Sequence, residues 1–89
     1  MSQHDPRLGR LRWRSRRGMK ELDTLFETYF NNNLSGFDED TITALERLLD
    51  CQDTDLLDWL FGRSVPQDAQ LKKIVKRIRE TRSGMQGFA

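Results

Sequence analysis

Met19, Leu22, Leu25, Phe26, Tyr29 and Phe30 follow one another at spacings of three and four. Side chains so placed share one face of a helix and would scatter over both faces of a strand. The spacing returns in Ile42, Leu45, Leu48 and Leu49, and again in Leu71, Ile74, Val75 and Ile78. No segment alternates with period two for long enough to make a strand. The chain is therefore expected to be all-α. Its 89 residues suffice for one domain with a small core. The 33% of charged residues suits a thin core under a large solvated surface.

Local signals divide the chain into five helices. Pro6 suits a first helical position, with Asp5 as its cap, and the first helix should run over about 6–15. On it Leu8, Leu11 and Ser15 share one side, and Arg7, Arg10, Arg14 and Arg17 another. Trp13 falls beside Arg10 and Arg17. It either packs on the core from the flank or stands exposed among arginines as an interface anchor. Gly18 marks a break before the second helix, which Asn31, Asn32, Asn33, Ser35 and Gly36 should end with turn chemistry. Asp38 is placed to cap the third helix, with Glu39 and Asp40 in its first turn and Phe37 and Ile42 as a hydrophobic staple. Asp53 can cap a fourth, short helix carrying Leu56, Leu57, Trp59, Leu60 and Phe61. Apolar residues cover most of that helix, so it should be the most buried, with Trp59 in the core. Gly62 stops it. A fifth helix is expected over about 67–82, ending at Ser83 and Gly84, with loose tails at 1–5 and 84–89. Leu25, Phe26, Leu45, Leu49, Leu60 and Ile74 are the expected centre of the core.

The net charge of +1 hides a pattern. Basic residues crowd residues 1–20 and 71–89, whereas acids dominate the middle. Such blocks suit internal complementarity or a partner with an acidic patch. On the fifth helix Lys72, Lys73, Lys76, Arg77 and Arg79 lie outside the apolar stripe, as a solvated face does.

Catalytic chemistry is hard to find. His4, the one histidine, falls in an expected tail, and Cys51 is the one cysteine. Together they cannot build a zinc site. A lone helical cysteine behaves as a small hydrophobe, and one cysteine rules out an internal disulfide. No glycine-rich phosphate loop occurs. The chain is read as a binding protein, not an enzyme, with no metal. No window approaches the ~18 apolar residues of a membrane span. Residues 1–6 have no apolar core of a signal peptide, and a transit peptide is not expected so close to the first motif. A bacterial cytoplasmic protein is the expectation.

The densest basic run, Arg14, Ser15, Arg16 and Arg17, meets Gly18 and is followed by Glu21. On a continuous helix Arg17 and Glu21 would share a face and form an ordinary ion pair. The run also resembles something more specific. Arg17-Gly18-Met19-Lys20-Glu21 matches the Arg-Gly-x-x-Glu motif of the small flavinylation (FAD assembly) factors of succinate dehydrogenase. Arg10-Leu11-Arg12-Trp13-Arg14 is similar to the family's approach to that motif. Leu48-Leu49-Asp50-Cys51-Gln52-Asp53-Thr54-Asp55-Leu56, followed by Trp59 and Leu60, resembles its second signature. Thr54 stands where a proline is common, and Arg12 where many members carry another residue. The likeness spans roughly residues 7–82.

The resemblance implies a partner and a role. The partner is the flavoprotein subunit of succinate dehydrogenase, with fumarate reductase left open as a second one. The role is to promote covalent attachment of FAD to that subunit, with no FAD held firmly by this chain and direct FAD binding left open. Arg17, Gly18 and Glu21 would then face solvent as one patch, extended by Trp13, Arg14, Arg16 and Arg10. The rival reading is a nucleic-acid-binding or antitoxin-type regulator using the arginine-rich first helix. Against it stand a sequence pI of about 7.9, below the roughly 9 of a basic binding domain, and the acids of the central region.

Overall fold

The computed structural model describes residues 6–33 and 37–86, with side chains as far as Thr81. Within them the chain forms α1 (Pro6–Arg14), α2 (Lys20–Asn31), α3 (Glu39–Leu49), α4 (Asp53–Leu60) and α5 (Ala69–Gln86). There is no strand among the described residues. The fold class is all-α, as the periodicities require.

The core forms where the apolar stripes converge. α5 packs against α2, α3 and α4, and α1 lies across α2 and α3. Leu25, Phe26, Leu45, Leu49, Leu60 and Ile74 are all buried. Each large side chain so placed contributes about 1.5–3 kcal/mol through its removal from water. Leu8, Leu11 and Ser15 fasten α1 to this core on one side, and all three are buried. The Ser15 hydroxyl donates to the Arg12 carbonyl at 2.7 Å, satisfying a buried polar group where α1 ends.

The helix ends carry much of the topology. Asp38 caps α3, its carboxylate accepting from the Thr41 N–H at 2.8 Å. Those bonds hold the Asp38 carboxyl below its ordinary value of 3.8. Phe37, just before the cap, stacks on Tyr29 with ring centroids 5.4 Å apart and meets Phe30 edge-on. α2 ends in asparagine turn chemistry, with the Asn33 side chain donating to the Tyr29 carbonyl at 2.7 Å. Ser35 and Gly36 lie outside the described residues, as does the expected cap Asp5. Gly62 ends α4 at φ +83°. There the Arg63 N–H reaches the Asp58 carbonyl at 2.7 Å, and the Gly62 N–H reaches that of Trp59 at 3.4 Å. This pair of bonds is a Schellman closure, which needs a left-handed residue at Gly62. Arg47 pairs with Asp68 at 2.9 Å, and Asp68 accepts from the Leu71 N–H at 3.0 Å, so one ion pair ties α3 to the start of α5.

Three expectations are corrected. Asp53 does not cap α4. Gln52 occupies that position without a side-chain bond, and Asp53 is the first helical residue. Its carboxylate is drawn sideways to Arg17. Nor is α4 the most buried helix. Only Leu56 and Leu60 are sealed, and Leu57, Trp59 and Phe61 pack against the core with part of their surface open. The helix is two turns long and lies at the margin of the bundle, so one side remains open to water. Finally, α5 continues past Ser83 and Gly84 to Gln86. A helical glycine costs about 1 kcal/mol, too little to stop a helix that meets no proline. The remaining tail residues lie outside the described residues.

A candidate docking surface around the turn between α1 and α2

Arg17 and Glu21 do not share a continuous helix. Residues 15–19 separate α1 from α2, and Gly18 sits among them at φ +80°. That conformation suits glycine, since a Cβ would strain the backbone. A Cβ built there meets nothing within 4 Å, so the position opens to solvent. Glu21 is exposed in the first turn of α2, where the helix dipole favours a carboxylate. Among the described residues no hydrogen bond or ion pair engages it.

Trp13 does not pack on the core from the flank, for it stands 79% exposed. Arg10 and Arg16 beside it are exposed as well. A shallow groove of about 470 Å³ runs alongside, lined by Trp13, Arg16, Asp23, Glu27 and Phe30 among others. Arg12 closes one side by laying its guanidinium over the Phe30 ring, 5.3 Å from the centroid. This attraction between a cation and an aromatic face keeps Arg12 against the protein.

Arg17 is turned inward. Its side chain is 20% exposed. One Nη donates to the carbonyls of Leu49, at 2.7 Å, and Cys51, at 3.1 Å. Its Nε is buried 3.3 Å from an Asp53 carboxylate oxygen, close enough for charge attraction but outside hydrogen-bonding geometry. Its backbone N–H donates to the Asp23 carboxylate at 2.8 Å. Arg14 pairs with Asp50 at the end of α3, and Arg7 with Glu39 at its start. Arg7 and Arg14 thus lie on the face that α1 turns to α3, with Arg17 in the turn beyond it, and Arg14 and Arg17 stand at the negative end of the α3 dipole. These arginines are already matched to carboxylates, which weakens the case for a phosphate-binding helix.

The two stretches singled out in the sequence therefore meet in space. Arg17 belongs to the first, and Leu49, Cys51 and Asp53 to the second. Asp23, Asp50 and Asp53 are the site residues that sequence reasoning missed. Asp50 and Asp53 stand within the second signature and Asp23 just beyond the first motif, but neither that placement nor the excess of acids in the middle of the chain gave a pairing. Cys51 lies at the junction, half-buried and free. Burial, then Asp55 and Asp50, push its thiol above the ordinary 9.0 in spite of Arg47 and Arg17 nearby. Such a thiol is a weak nucleophile. Among the described residues no cluster of three or more metal-ligating side chains occurs.

The family described as flavinator of succinate dehydrogenase matches residues 9–82. The chain belongs to that family. It is 44% identical over 72 residues to the FAD assembly factor SdhE of Xylella fastidiosa, covering 81% of this chain and 74% of that one. Against the SdhE of Pseudomonas aeruginosa it is 39% identical, covering 80% of this chain and 84% of the relative. For that of Coxiella burnetii the figures are 35%, 83% and 90%. No solved structure matches the chain. Within the described residues no helix is long and apolar enough to cross a membrane.

Proposed function

We propose that this chain binds the flavoprotein subunit of succinate dehydrogenase in the bacterial cytoplasm and promotes covalent attachment of FAD to it. Family membership supports the reaction. The observation that carries the docking site is the exposed trio Trp13 at the end of α1, Gly18 in the turn and Glu21 at the start of α2, around a turn that the rest of the fold holds in place. Arg10 and Arg16 extend the surface, and Arg14 and Arg17 border it. Gly18 lets a partner backbone approach closely. Glu21 offers a carboxylate to a donor on the partner, and a charge-assisted bond there is stronger than a neutral one. Trp13 supplies the rigid aromatic area typical of interface anchors.

The protein acts without a catalytic group or firmly held cofactor of its own. Flavin attachment needs the partner's nucleophile and the flavin aligned. A binder that prefers the aligned conformer raises its population. Moving a 1:99 mixture to 99:1 takes about 5.5 kcal/mol of differential affinity, within what an interface of ordinary size supplies.

The test is flavin attachment in a strain lacking its own assembly factor. The parent chain should restore in-gel flavin fluorescence of the flavoprotein subunit, and Glu21→Ala with Trp13→Ala should not. Restoration by that double variant would remove this surface from the mechanism. The same strain, read for fumarate reductase, tests a second client.

A further inference from the structure

Motif residues are usually taken to touch the partner together. The geometry points to a division of labour instead. We propose that Arg17 is a positioning residue. It fastens the turn of residues 15–19 to the corner between α3 and α4, so that Gly18 and Glu21 stand ready to dock, and it makes no contact with the flavoprotein subunit. The proposal rests on the docking surface described above.

Four contacts support it. Through its side chain, Arg17 reaches the carbonyls of Leu49 and Cys51 and the carboxylate of Asp53. Through its backbone it reaches Asp23. The first two acceptors belong to the end of α3 and the residues just beyond it. Those carbonyls have no partner within the helix and carry the negative end of its dipole. Asp53 begins α4, and Asp23 lies in the first turn of α2. A single residue therefore joins α2, α3 and α4 at the point where the chain leaves α1. The guanidinium is suited to this because its planar fork can serve several acceptors at once, which a lysine ammonium does poorly. Its inward orientation takes the charge away from any approaching surface. Gly18, next in the chain, has its Cβ direction open and points outward.

A positioning role predicts how binding is lost. If the docking turn is competent only part of the time, apparent affinity falls by that fraction, while the contacts themselves are unchanged. A lost partner contact behaves differently, because removing an interfacial charge changes how binding responds to salt.

The experiment uses the full chain as Arg17→Met, Arg17→Lys and the double variant Arg17→Met with Asp53→Asn, whose net charge equals the parent's. In the free protein, amide hydrogen exchange is read at residue 17 and at Asp50 and Cys51. Exchange should quicken at least tenfold at both segments in Arg17→Met, while core amides of α2 and α5 stay protected. Arg17→Lys should restore part of that protection. Binding to the flavoprotein subunit should weaken at least tenfold in the double variant, with the parent's dependence on salt. In Glu21→Gln that dependence should be shallower. Weakened binding with unaltered exchange would overturn the proposal and make Arg17 a direct contact. A shallower salt dependence in the double variant would overturn it equally. Failure of the parent chain to bind the subunit would overturn the docking surface, and the exchange data would still decide the clamp. If Arg17→Met unfolds altogether, Arg17→Lys carries the same readouts.

Discussion

The backbone N–H of Arg17 donates to the carboxylate of Asp23, six residues further on, at 2.8 Å. The bond spans the Gly18 turn and closes it from the α2 side. α2 has no side-chain cap, since its N-cap position is Met19. Asp23 caps none of the N–H groups of α2 itself but ties its first turn back to the incoming chain. Two carboxylates stand close together in sequence with opposite roles. Asp23 is used inside the fold, and Glu21 is left for the outside.

Asp23→Ala and Glu21→Ala should therefore separate stability from binding. Loss of a hydrogen bond to a charged acceptor costs about 1.5–3 kcal/mol. In a domain of this size each kcal/mol lowers the melting midpoint by about 4–8 °C. Asp23→Ala should show such a drop in a thermal melt, and Glu21→Ala should stay within about 0.5 kcal/mol of the parent. Equal melting losses in both would mean that Glu21 is also used by the fold.

Gly18 carries a conformational demand as well as a spatial one. At φ +80° any side chain is strained, even though space beyond is open. Gly18→Ala should cost about 1–2 kcal/mol and lower the midpoint accordingly, with a cooperative transition. Gly18→Arg should cost a similar amount, because its added length reaches solvent. Only the arginine variant should abolish flavin attachment, by holding the partner away. Abolition by Gly18→Ala at a temperature where it remains folded would mean that the turn's shape, more than close approach, is what the partner reads.

Acid should loosen the bundle at two helix starts. Hydrogen bonds from Thr41 depress the Asp38 carboxyl, and the Arg47 guanidinium depresses that of Asp68. A carboxyl whose value is lower folded than unfolded stabilises the fold above the unfolded value of 3.8. That contribution fades as the pH falls through the lower, folded value. Melting curves between pH 7 and about 2 should decline at the acid end. The decline should be shallower in Asp38→Asn with Asp68→Asn. An unchanged acid limb in that pair would place the titrating groups elsewhere.

Cys51 should react slowly. With its thiol pushed upward by burial and by Asp55 and Asp50, little thiolate exists at neutral pH. Alkylation by iodoacetamide at pH 8 should run slower than that of a free cysteine thiol. Arg17→Met should reduce the thiolate fraction further, since one of the lowering charges is removed, unless the loosened corner exposes the sulfur. Faster alkylation in that variant would report the opening of the corner directly.

Much of this architecture was legible in the sequence because apolar spacing reports burial without needing partners. The stripes of α2, α3 and α5 place Phe26, Leu45 and Ile78 inside whatever the partner helix. Asp38 was legible for a local reason, since a cap bonds three residues on. What escaped was non-local. Asp53 looks like a cap by position, yet Arg17, thirty-six positions upstream in sequence, draws it aside. Trp59 looks like core by composition, yet only packing shows that α4 lies at the margin. The candidate docking surface was half legible. Gly18 and Glu21 stand outward as the motif resemblance implies, whereas the inward turn of Arg17 depends on carbonyls at a helix end, which leave no mark on the sequence.

Trp13 offers the sharpest test of the surface, because its two roles have opposite signatures. A tryptophan packed on the core would cost several kcal/mol on truncation, about 3–5 for a full loss to alanine. At 79% exposure Trp13→Ala should shift stability by no more than about 0.5 kcal/mol. A central aromatic anchor, in contrast, costs about 2 kcal/mol or more of binding when removed, a loss of roughly thirtyfold in affinity by the usual tenfold per 1.4 kcal/mol. Fluorescence separates it from the second tryptophan, since Trp59 packs partly against the core. Acrylamide should quench the parent in two components, and Trp13→Phe should remove the more accessible one. Addition of the flavoprotein subunit should protect that component in the parent. Continued full quenching of Trp13 in a saturated complex would show that the partner docks somewhere else on the protein.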